Sequence, residues 1–170
     1  DPAMSYLYGH GCHTLDQVIS YFGKPDDIHY DVRQLLGTGR MNDYFDLDLY
    51  YGTLKVSVKS SYFRVKSRPS FIVYGKKGMF EKYSKDRQEE HLKLFHMPIN
   101  NDFGKDLPEH YGTLTYYDDE GIYHEEKVLT VDGDYARVYD SIVNGKEQVI
   151  QPWQTILQME MLETGVKDLK

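Results

Sequence analysis

Tyr44-Phe-Asp-Leu-Asp-Leu-Tyr-Tyr-Gly-Thr-Leu-Lys-Val-Ser-Val-Lys-Ser-Ser61 decides the fold. Apolar side chains recur at every second position in Phe45, Leu47, Leu49 and Tyr51, and again in Leu54, Val56 and Val58. That is the period of a strand with one buried face. Gly52-Thr53 separates the two runs, and a two-residue connection joins antiparallel neighbours. The intervening polar set, Asp46, Asp48, Lys55, Ser57 and Lys59, is placed to pair across the strands or to face water.

The pattern repeats outward from this hairpin. Residues 28–36 alternate and then meet Gly37-Thr-Gly39, a strand running into a turn. Residues 71–74 and 79–83, split by Gly75-Lys-Lys-Gly78, predict a second hairpin. Residues 113–117 and 122–131, joined by Asp118-Asp-Glu-Gly121, predict a third. Helices are expected over 87–95, with Leu92 and Phe95 inward, and over 135–143, ended by Asn144-Gly145. A last helix is expected over 152–162, with Pro152 in its first turn and Ile156, Leu157, Met159, Met161 and Leu162 along it. A Pro-, Asn-, Asp- and Gly-rich loop fills 97–110, and its stretch from Asn100 to Tyr111 is read as a lid or a partner arm. Sixteen tyrosines, mostly in the strand-like runs, suit a sheet with one wet face. Together these elements predict an α+β fold: a large, mainly antiparallel sheet with helices on one face. Tyr-Gly-Thr-Leu occurs at both 51–54 and 111–114, too short a match to mark a repeat.

A chain of 170 residues is expected to be one domain, with Asp1-Pro-Ala-Met4 a tag remnant and residues 5–170 the folded unit. The single cysteine, Cys12, excludes an internal disulfide and fits a reducing, cytoplasmic setting. No apolar run is long enough for a membrane-spanning helix. With 27 acidic against 20 basic residues, the formal charge of −7 opposes nucleic-acid binding and favours a small-molecule ligand.

The chemistry concentrates in Tyr8-Gly-His-Gly-Cys-His-Thr-Leu-Asp-Gln-Val-Ile-Ser-Tyr-Phe-Gly-Lys-Pro25. Leu15, Val18, Ile19 and Phe22 follow helical spacing, Gly23 and Pro25 stop the helix, and Thr14 with Gln17 fits a capping box that would start it at Thr14. A start one turn earlier makes His13 and Asp16 an i,i+3 pair on one face. Three readings stay open. His10, Cys12, His13 and Asp16 carry metal-ligating atoms; His13 beside Asp16 suits acid/base work near neutral pH; and both residues could merely cap and pack. Gly9-x-Gly11-x-x-Thr14, with Asp31 beyond, imitates a dinucleotide fingerprint but lacks its third glycine and its βαβ setting, and Gly37-Thr-Gly39 fails likewise. Lys82, Tyr83, Asp86, Gln88 and Glu89 lie at a strand-to-helix junction, where polar side chains face a pocket or plain solvent.

Gly11-x-His13-x-x-Asp16-Gln17 with Phe22-Gly23-x-Pro25 resembles the C-terminal half of the Gfo/Idh/MocA family of NAD(P)-dependent oxidoreductases. The likeness continues through Phe71-Ile-Val-Tyr-Gly-Lys-Lys-Gly-Met-Phe80, Lys82-Tyr83 with Asp86 and Gln88-Glu89, Tyr111-Gly-Thr-Leu114, and Gly133-Asp-Tyr135 through Tyr139 to Asn144-Gly145. The resemblance implies a substrate-binding and oligomerisation domain whose partners are a sugar or polyol, a separate N-terminal Rossmann domain and further copies of itself through the open sheet face. It implies His13 and Asp16 as catalytic residues and Lys82, Tyr83, Gln88 and Glu89 as substrate contacts. Ser20 stands where some members carry a further histidine. The chain has no Glu-Lys-Pro motif, so NAD or NADP is expected only in the full-length enzyme, with this fragment inactive alone. A standalone sugar-binding or dimerisation module is the alternative; a histidine-aspartate pair shut inside contacts rather than open to a cleft would favour it.

Overall fold

In a computed structural model, residues 6–83, 86–130 and 136–169 are described. Asp1–Met4 lies outside them, as do Val131, Gly133, Asp134 and Tyr135. The strands are β1 (Asp27–Arg33), β2 (Tyr44–Tyr51), β3 (Leu54–Ser61), β4 (Phe71–Tyr74), β5 (Gly78–Lys82), β6 (Gly112–Tyr117) and β7 (Tyr123–Val128). The helices are α1 (Cys12–Phe22), α2 (Arg87–Lys93), α3 (Ala136–Val143) and α4 (Pro152–Val166). The fold is α+β and antiparallel, and the described strands divide between two sheets, β1-β2-β3 and β4-β5-β6-β7. The chain forms two compact units, Asp1–Val65 with Gln148–Lys170, and Lys66–Glu147.

In the first unit β2 is the central strand, and alternation sorts its side chains. Phe45 lies opposite Val32 and Ser60, Leu47 opposite Tyr30 and Val58, and Leu49 opposite Ile28 and Val56. Phe45, Leu47 and Leu49 are fully buried, in one cluster with Leu7, with Leu15, Val18 and Ile19 of α1, and with Met161, Leu162 and Val166 of α4. The other face carries the expected polar ladder: Lys55 reaches Asp48 at 2.6 Å, Ser57 donates to the same carboxylate, and Lys59 pairs with Asp46. Gly52 turns the hairpin with φ +57°, a conformation glycine adopts without steric cost.

In this unit the ends of β1 and α4 differ from expectation. β1 ends at Arg33 because the buried Asp43 carboxylate takes the N–H groups of Leu35 and Leu36 at 2.9 and 2.8 Å, folding the chain into a loop. α4 continues to Val166, and it starts as its sequence predicts, with Pro152 in the first turn and reciprocal capping by Gln151 and Gln154.

In the second unit, Gly112 has no side chain and the Phe80 ring lies against it; a Cβ there would come within 2.3 Å of the ring. α2 stops at Lys93, and the predicted inward placement of Leu92 and Phe95 fails. The N–H groups of Leu94, Phe95 and His96 fold back onto the carbonyls of His91 and Leu92. This turn gives Phe95 a φ of 58° and leaves its side chain 88% exposed. Leu92 is also exposed, and Phe103 is the buried ring instead, against His91 and His96. No helix among the described residues is long and apolar enough to cross a membrane.

Candidate active site

The expected capping box at Thr14 is absent, because the helix begins earlier. A π-helical turn, Leu7–Gly11, runs directly into α1, and Thr14 sits inside the helix, its hydroxyl donating to the Gly11 carbonyl at 3.0 Å. The helix is already running at Tyr6, and a distant loop holds this first described turn: buried Asn42 accepts the Leu7 N–H on Oδ1 at 2.8 Å. Leu7, fully buried, is seated between two glycines. A Cβ on Gly11 or Gly165 would meet its methyl carbons at 2.7 and 2.8 Å.

This geometry selects the i,i+3 arrangement of His13 and Asp16. Leu15, Val18 and Ile19 point into the core, while His13, Gln17 and Ser20 are exposed and Asp16 is half-buried at the edge of that polar stripe. Among the described residues neither the His13 imidazole nor the Asp16 carboxylate is used in a hydrogen bond or ion pair. An exposed histidine with a carboxylate one turn away can take or give a proton at a substrate hydroxyl. Short π segments inside helices recur at functional sites, and this one ends two residues before His13.

The metal reading gains no support: among the described residues no three His, Cys, Asp or Glu side chains converge as ligands. His10 rests against the Tyr6 ring with centroids 4.5 Å apart, and the Cys12 thiol points to the Gly9 carbonyl. The described residues also supply no dinucleotide cradle. Gly9 and Gly11 lie along the π-turn rather than between a strand and a helix, and Gly37 and Gly39 sit in the loop leading to a strand.

The other predicted residues, Lys82, Tyr83, Gln88 and Glu89, belong to the second unit. The Lys82 ammonium is 14% exposed and donates to Asp106 Oδ2 at 2.6 Å, the His110 carbonyl at 2.8 Å and the Thr130 hydroxyl at 2.9 Å. Its three donors are thus satisfied by the protein. Burial pushes the Asp106 carboxyl up, but the bonds from Lys82 and Thr130 outweigh it and hold Asp106 below the usual carboxylate range. Asp86 caps α2 by accepting the Glu89 N–H, Glu89 pairs with Lys93, Gln88 packs against Gly104, and the Tyr83 side chain is half open to solvent. The sequence reading missed Asn42, Asp106 and Thr130. Each is a polar residue in or beside a loop, and nothing in its neighbours' spacing marks it as buried or paired.

The family model described as "Oxidoreductase family, C-terminal alpha/beta domain" (GFO_IDH_MocA_C) matches residues 2–169. The chain is 40% identical over 168 residues to the uncharacterized oxidoreductase YhhX of Escherichia coli, covering 96% of this chain and 48% of that protein. It is 28% identical over 172 residues to the scyllo-inositol 2-dehydrogenase (NADP(+)) IolW of Bacillus subtilis, covering 99% and 48%. The crystal structure of an oxidoreductase from Bacillus cereus superposes with a TM-score of 0.87 at 36% identity, over all of this chain and 60% of that one. The chain spans about half the length of the curated relatives it matches. It belongs to the Gfo/Idh/MocA oxidoreductase family and corresponds to that family's C-terminal α/β domain.

Proposed function

We propose that this chain is the substrate-binding and oligomerisation half of an NAD(P)-dependent oxidoreductase acting on a sugar or cyclitol. The observation that carries the proposal is the open His13–Asp16 pair, placed on the exposed side of a helix whose other side is locked into the core. In this reading the substrate hydroxyl gives its proton to His13, and Asp16 orients and stabilises the imidazolium that results. The nicotinamide dinucleotide would be held by a Rossmann domain outside the described residues, and the domain alone would be inactive. The activity that IolW is named for, scyllo-inositol 2-dehydrogenase (NADP(+)), at 28% identity, supports a cyclitol and NADP as the first compounds to try. Tyr83, Gln88 and Glu89 belong to the same proposal as substrate contacts, and Lys82 would serve them by holding the end of its strand. Ile72, Tyr74, Tyr117 and Tyr123 share an exposed face of the four-stranded sheet, which supports self-association there, and a single unpaired thiol fits a cytoplasmic setting.

The test is the full-length protein carrying His13→Ala, assayed by nicotinamide absorbance against a panel of sugars and cyclitols. A loss in kcat of roughly 10²-fold or more is expected. Turnover near that of the unaltered enzyme would overturn the assignment.

A further inference from the structure

The junction between the π-turn and α1 is held by an unusual set of side chains. Three carbonyls around it, those of Gly9, Gly11 and Cys12, each accept a side-chain hydrogen bond: from the Cys12 thiol, the Thr14 hydroxyl and the Gln158 amide. The first two donors are local. Gln158 comes from α4, 146 residues along the chain, and donates Nε2 to the Cys12 carbonyl at 2.5 Å. Cys12 is the first residue after the π-turn and immediately precedes His13. α4 is itself fixed, since Met161, Leu162 and Val166 are buried in the core that α1 shares.

A helix that changes from π to α geometry has a weak point where its hydrogen-bond spacing changes, and a backbone group there settles into whichever arrangement its partners favour. Gln158 supplies a donor at that point from a rigid neighbour. Gln158 is half-buried, and the carbonyl it bonds belongs to the residue before exposed His13. We infer that Gln158 is a positioning residue for His13: its amide fixes the peptide on which the imidazole is carried, and so fixes the proton-transferring nitrogen relative to a bound substrate. The inference rests on the acid/base reading of His13 and extends it to α4.

The experiment is a double-mutant cycle in the full-length enzyme with His13→Ala, Gln158→Met and the pair combined, supported by thermal melts and by kcat and KM measured separately. Gln158→Met keeps the length and volume of the side chain and removes the donor. Because a small misplacement of a reacting group is costly, Gln158→Met is expected to lower kcat by about 10-fold. KM is expected to stay within about two-fold, as for loss of a contribution made mainly in the transition state. Added to His13→Ala, it is expected to produce no further loss, because it acts through the imidazole. If Gln158→Met melts below the assay temperature, Gln158→Glu, which sets a carboxylate against the carbonyl, takes its place in the same cycle. Equal multiplicative losses in the presence and absence of His13, or a lowered melting temperature with unchanged kcat, would overturn the inference. A His13→Ala enzyme with normal turnover would instead overturn the reading beneath it, so the two failures are distinguishable.

Discussion

The two units bury their apolar residues differently. In the first, β2 is flanked by strands on both edges and its inward residues are fully buried with α1 and α4. In the second, Phe103 is the buried apolar side chain among the described residues. Ile72, Tyr74, Leu94, Phe95, Ile99, Tyr117 and Tyr123 are exposed. The first unit therefore derives its stability chiefly from hydrophobic burial. In the second, polar clamps such as Lys82 to Asp106 tie strand ends to loops, and much of the apolar surface is left for other contacts. The contrast suits a division of labour in which one unit holds the proposed acid/base pair and the other offers surface.

The largest effect that would break this comparison comes from the core. Phe45→Ala removes a fully buried ring and is expected to cost about 3–5 kcal/mol. Trp153, the single tryptophan, lies in the first unit and reports its unfolding by fluorescence in denaturant. A cost below about 1 kcal/mol would mean that this core collapses around the gap.

Next in size is Lys82→Met, which strands the buried Asp106 carboxylate and is expected to destabilise the second unit by about 3 kcal/mol near neutral pH. Hydrogen exchange of the β5 and β6 amides would read it. The sign with pH follows from Asp106 being held below its usual range. Its contribution is present above the unfolded carboxylate value and is lost as pH falls through the folded one, so wild type and variant should converge in acid. A gap that persists unchanged at low pH would place the effect in lost packing instead.

The smallest effect is expected at Lys59→Ala. Lys59 is half exposed in its pair with Asp46, so at most about 1 kcal/mol should be lost, less at high salt. The same fluorescence titration measures it. A larger loss would show that the polar face contributes to the first unit as its core does.

Alternation made the three hairpins legible, since a period of two fixes both the strands and their buried face. Phe45, Leu47 and Leu49 were identifiable as core from that pattern alone. The end of α2 was not legible, because the turn through Phe95 depends on backbone bonds to His91 and Leu92 rather than on side-chain period. At the candidate site, His13 and Asp16 were visible as a pair, but the start of their helix was misread. Thr14 and Gln17 satisfy a capping pattern locally, while the helix runs back through Leu7, held by Asn42 in a loop and by the two glycines that seat its side chain. Long-range partners of this kind leave no periodic trace.

The π-turn carries one further meaning. Relative to a regular helix, Leu7–Gly11 holds a surplus residue, so the length of this short stretch is itself information. Were the same residues wound instead as regular α-helix, Leu7 would be rotated by about 100° around the axis relative to His13, with a shift of about 1.5 Å. Leu7 would swing off its seat between Gly11 and Gly165, and its N–H would leave Asn42. Substitutions around the site change what a side chain does; the winding of the π-turn sets where Leu7 stands relative to His13.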